Sequence, residues 1–78
     1  MTPYQNRGGN SGVSAYEIGS DSITVQFKEG KDRFYRYTNA SAGSQSVESM
    51  KQLAANGVGL NSFISSNPAV RNGYESKW

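Results

Sequence analysis

The stretch from Ile23 to Thr38, ITVQFKEGKDRFYRYT, limits the folds open to this chain more than any other segment. Ile23, Val25 and Phe27 alternate with Thr24, Gln26 and Lys28. This period-2 pattern of β-branched and aromatic residues predicts a half-buried antiparallel strand. Glu29-Gly30-Lys31-Asp32 breaks the pattern with a glycine and three charges, as a hairpin connection does. The second arm, Arg33 to Thr38, is rich in aromatics and strand-prone. A hairpin alone is marginal in water, so other segments must cover its apolar face.

Val13 to Ile18 (VSAYEI) reads as a preceding strand with Tyr16 and Ile18 on one face, and Gly19-Ser20-Asp21-Ser22 is the turn between them. After Thr38 the polar loop NASAGSQS leads into helix-starting chemistry. Ser44 or Ser46 can serve as N-cap, and Glu48 falls in the first turn, where the helix dipole favours an anion. Val47, Met50, Leu53 and Ala54 form one apolar helical stripe, which Asn56-Gly57 ends. Leu60, Phe63 and Ile64 predict a short second helix, terminated by Asn67-Pro68. The expected class is α+β: a three-stranded antiparallel meander followed by two short helices on one face, β-β-β-α-α. Residues 1–12, rich in Gly, Asn and Ser, read as a mobile arm, 13–70 as a single domain, and 71–78 as a loosely docked tail.

With 78 residues the chain makes one small domain, and at 35% apolar residues its core depends on a few large side chains. It has no cysteine and no histidine, which excludes disulfides, thiolate metal sites and the usual general base. The six carboxylates are scattered without metal-ligand spacing. The expectation is a non-catalytic protein without cofactor or metal. Eight Lys/Arg against six Asp/Glu give a net charge of +2, mildly basic and below that of a dedicated DNA binder. No apolar run reaches the roughly 20 residues of a membrane span, and a cytoplasmic location is expected.

The motifs SxVxxYxI, IxVxFxxG, FYRY and LAxxGxGLNxFI, in this order and spacing, resemble the KTSC domain over about Ser11 to Tyr74. That family is named for the C-terminal extension of some lysyl-tRNA synthetases and also occurs as single-domain bacterial and phage proteins. Its YxY signature corresponds to Tyr35-Arg36-Tyr37, its strand-ending glycine to Gly30, and its small-residue turn to Gly57-Val58-Gly59. The chain departs from the family in two places. Asn39 to Gly43 replaces a proline-bearing link, and Val58 stands where a Lys or Arg is common. The resemblance implies the same α+β fold and suggests RNA binding.

Tyr35 and Tyr37 share one face of their strand, either as a platform for stacking bases or as core rings under the helices. In the second case Phe34, Arg36 and Thr38 share an open face with Thr24, Gln26 and Lys28. Lys28, Lys31, Arg33 and Arg36 cluster within nine positions, either as phosphate contacts or as a solvated hairpin tip. Gly57, Gly59 and Asn61 precede a short helix and suggest a weak phosphate cradle, against a plain helix–helix turn. The expected partner is RNA or another phosphate-bearing nucleotide, bound through Lys28, Lys31, Arg33, Phe34, Tyr35, Arg36 and Tyr37. The alternatives are a homo-oligomer sequestering a small nucleotide between subunits, and an interaction domain pairing through an edge strand at Val13 to Ile18.

Overall fold

A computed structural model describes residues 1–9 and 11–78. Over these described residues the protein is α+β, with a five-stranded antiparallel sheet and four helices. Strands β2 (Val13–Ile18), β3 (Ser22–Phe27) and β4 (Phe34–Thr38) form the expected meander, with Val25 opposite both Tyr16 and Tyr35. Helices α1 (Asn39–Ala42), α2 (Ser44–Asn56), α3 (Leu60–Ser66) and α4 (Pro68–Arg71) follow, and the chain returns to pair β5 (Tyr74–Lys77) with β4. At the other side β1 (Thr2–Pro3) pairs with β2, giving the order β1-β2-β3-β4-β5.

The two outer strands and the two four-residue helices are additions to the expected β-β-β-α-α. Both outer strands come from segments expected to be mobile or loosely docked. Residues 1–9 are held because Tyr4 is buried and its hydroxyl accepts the Leu60 N–H at 3.3 Å, satisfying a donor at the start of α3. The Arg7 N–H also donates to the Gly57 carbonyl at 2.7 Å. At the other end Arg33 and Phe34 donate to the Trp78 carbonyl, and the Trp78 N–H donates back to Phe34, all at 2.9 Å. Since β1 flanks β2 at Ala15 and Tyr16, Val13–Ile18 is an inner strand there and not a sheet edge.

The core forms between one sheet face and the helices: Val13, Ile23, Val25 and Tyr37 meet Val47, Met50, Ala54, Leu60, Ile64 and Val70. The α2 stripe is buried as its periodicity predicts, except that Leu53 is only partly covered. Capping differs from expectation. Thr38 ends β4 and caps α1 in a reciprocal box, with the Ser41 N–H donating to Thr38 Oγ1 and the Thr38 N–H to Ser41 Oγ, both at 3.0 Å. Thr38 is therefore buried, not displayed on an open face. Gly43, not Ser44 or Ser46, occupies the α2 N-cap, and Glu48 pairs with Lys51 at 3.4 Å.

Gly57 closes α2 in the left-handed conformation at φ 73°, and a Cβ there would lie 2.5 Å from Gln5 Cβ. Gly57→Ala should therefore strain the turn and displace the arm, costing about 2 kcal/mol in urea unfolding. Gly59→Ala, also left-handed at φ 87° but meeting only Leu53 Cδ2 at 3.4 Å, should cost less. Equal losses would show that the arm does not press on Gly57.

Candidate functional site

A cleft of about 810 Å³ opens on the helix-covered side of the sheet, between the β3–β4 hairpin tip and helices α3 and α4. Its sheet wall consists of rings. Phe27 meets Tyr35 edge-to-face at 5.4 Å, and Tyr35 meets Tyr74 the same way at 5.2 Å, so the three rings run across β3, β4 and β5. Strand register causes this, because Val25 opposite Tyr35 and Ile23 opposite Tyr37 place both tyrosines on the covered face. Tyr37 is 1% exposed and belongs to the core, whereas Tyr35 is half-buried at the cleft wall.

The opposite wall carries Asn61 and Ser65 from α3 and Arg71 and Asn72 from the end of α4. Arg71 Nη1 reaches the Ser65 carbonyl at 3.5 Å, a long bond that holds the guanidinium near the rim. The hairpin tip supplies Lys28 and Lys31, along with Glu29 and Asp32. The tip is anchored at its base, where the Phe27 N–H donates to the Arg33 carbonyl at 2.7 Å and the Lys28 N–H to the Gly12 carbonyl at 2.8 Å. Lys77 lies 3.7 Å from the Asp32 carboxylate and 5.4 Å from the Tyr74 ring centre. The neighbouring Tyr74 phenol, then Tyr35 and Asp32, raise the Lys77 ammonium above its ordinary value. With Asp32 partly offset by Lys77, the mouth of the cleft retains an excess of cations.

The sequence-predicted residues divide between the two sheet faces. Lys28, Lys31, Tyr35 and Tyr37 line the cleft, joined by Asn61. Phe34 and Arg36 alternate with the tyrosines and face the other way. There Phe34 stacks on Trp78 with ring centres 5.6 Å apart, and Arg36 Nε lies 3.6 Å from Glu75. Arg33 is exposed at the hairpin base. Gly57 lies under the arm; Gly59 and Asn61 line a smaller pocket of about 360 Å³ with Tyr4 and Asn6. The Gly57 and Val58 N–H groups donate to the Leu53 carbonyl and the Leu60 N–H to the Tyr4 hydroxyl, so these amides of the turn are taken up by α2 and by the arm.

Arg71, Asn72 and Tyr74 went unrecognised because they lie in what reads as a tail. The only sequence signal is the Asn72-Gly73 turn ahead of an aromatic residue. Among the described residues no three His, Cys, Asp or Glu side chains converge to hold a metal ion, and no helix is long and apolar enough to cross a membrane.

Burial, reinforced by Tyr35 and Tyr74, holds the Tyr37 phenol well above its ordinary value of 10.0. The folded state thus keeps a proton that the unfolded state releases. This stabilisation is fully present below pH 10 and declines as pH rises beyond it, by at most about 1.4 kcal/mol per pH unit. Thermal unfolding across pH 9 to 12 should fall more steeply for the native protein than for Tyr37→Phe; identical slopes would mean that the phenol ionises freely in the fold.

Compared with protein-family models, curated proteins and solved structures, the chain matches none.

Proposed function

We propose that this protein is a small non-catalytic binding module whose cleft takes a phosphate-bearing nucleotide ligand. The observation that carries this reading is the placement of a three-ring wall and the cations Lys28, Lys31 and Arg71 around one cleft of about 810 Å³. That volume is in the range of small-molecule sites, which run from about 300 to 1,000 Å³. The edge of a base fits against Tyr35 and Tyr74, and the carboxamides of Asn61 and Asn72 offer both donors and acceptors to it. Arg71 and Lys31 stand on opposite sides of the mouth, where they can hold a phosphate. The absence of histidine and cysteine supports a role in binding without chemistry.

The resemblance to the KTSC domain puts RNA beside free nucleotides among the ligands to test. Fluorescence anisotropy with labelled ATP and with a short single-stranded RNA, from about 50 to 300 mM salt, should show binding that weakens as salt rises. Arg71→Ala and Lys31→Ala should each weaken it about tenfold, the loss expected for a charge-assisted phosphate contact. Tighter binding of RNA than of ATP would assign the cleft to the end of a strand. Failure to bind either probe, or full binding by Arg71→Ala, would overturn the proposal.

A further inference from the structure

Among the described residues no helix or strand covers the sheet face opposite the helices, and the residues on that face follow from the register. One row across the strands reads Pro3, Ala15, Gln26, Phe34 and, through its reciprocal bonds with Phe34, Trp78. The next row reads Glu17, Thr24, Arg36 and Ser76. Ala15 is buried yet stands outside the core cluster, as a small residue flanked by larger ones on this face would. Trp78 is 54% exposed beside Phe34. Large side chains thus lie on the β4–β5 half of the face and small ones on the β1–β2 half. The cation Arg36 lies on β4 and the exposed anion Glu17 on β2.

We propose that this face binds a second copy of the chain, with the two-fold axis running along β3. That operation keeps each row level and exchanges β2 with β4 and β1 with β5. It sets Glu17 against the partner's Arg36 and Ala15 against the partner's Phe34. Pro3 then meets the partner's Trp78, with Thr24 and Gln26 at the axis. Each off-axis contact occurs twice, as an isologous interface requires. Away from the axis, every pair joins opposite charges or a small residue to a large one, and at the axis Thr24 and Gln26 meet their own copies as neutral polar pairs. Arg36 meets Glu75 in an ion pair at 3.6 Å, and among the described residues its Nε has no hydrogen-bond partner, so the guanidinium keeps donors for a second carboxylate. Two aligned sheets pack about 10 Å apart with a rotation near 30°, so the match is best close to the axis.

The sheet edges fit this partner less well. β1 is two residues ending in Pro3, and β5 is four residues with a register shift and Lys77, features that discourage edge pairing. The 23 strand residues, at about 4.8 Å between strands and about 3.4 Å along them, present a face of roughly 380 Å² per copy, hence about 750 Å² in all, the size of a weak, transient association. The dimer is therefore concentration-dependent. It stands independently of the cleft, which lies on the opposite face.

Light scattering over a dilution series should give twice the 8.5 kDa chain mass at high concentration, falling to 8.5 kDa on dilution. Emission from Trp78, the only tryptophan, should shift to the red as the protein dilutes. Glu17→Arg and Arg36→Glu should each weaken association at least tenfold by opposing like charges, and the double variant Glu17→Arg with Arg36→Glu should restore it. Glu17 is exposed, so its variant should keep the native circular dichroism spectrum. A mass of 8.5 kDa at every concentration up to about 1 mM, a dimer insensitive to both single reversals, or no recovery in the double variant would each overturn the proposal.

Discussion

The burial of Tyr37 is the constraint on which the rest of the structure depends. It is the largest fully buried side chain, seated opposite Ile23 within the core that α2 and α3 close. A ring of this size supplies on the order of 2 kcal/mol of hydrophobic stabilisation in a chain whose core has few large members. Because strand side chains alternate, the choice also determines β4 throughout. Tyr35 must face the cleft, and Phe34 and Arg36 must face away. A single packing decision thus separates the aromatic wall of the cleft from the uncovered face behind it.

Closing that core requires both ends of the chain. The meander and α2 alone leave the α2–α3 turn open, and Tyr4 fills it while satisfying a backbone donor of α3. On the other side Val70 enters the core, and the chain passes Gly73 with no room to spare. A Cβ at Gly73 would lie 2.6 Å from the Ala69 carbonyl oxygen and 3.2 Å from Ala42 Cα. α1, α4 and the entry to β5 are therefore packed backbone against backbone, which brings Tyr74 beside Tyr35.

The elements with a strong local period were legible in the sequence. The alternation of Ile23, Val25 and Phe27, the helical stripe of Val47, Met50 and Ala54, the stop at Gly57 and the break at Pro68 all lie where the residues indicate. β1 and β5 were not legible, because two residues carry no alternation and Tyr74-Glu75-Ser76-Lys77 reads as polar surface. Their pairing depends on distant contacts at Tyr4 and Trp78, which no local pattern records. The candidate site was legible in the same proportion. Lys28, Lys31, Tyr35 and Tyr37 come from the periodic hairpin, whereas Arg71, Asn72 and Tyr74 come from the segment that only tertiary structure places.

The late return of β5 has a consequence for how the molecule breathes. β2, β3 and β4 are joined by short turns and pair locally, but Tyr37 and Tyr74 meet only after the loop containing all four helices has closed. Few buried contacts hold β5 beyond Tyr74, so it belongs to the portion of the sheet that opens at lowest free energy. Opening it removes Tyr74, one of the three rings of the sheet wall, while Ile23, Val25, Val47 and Met50 stay packed. A molecule held in the cleft, as proposed above, would therefore favour the closed last strand, and amide exchange in β5 would slow before anything in the core changed.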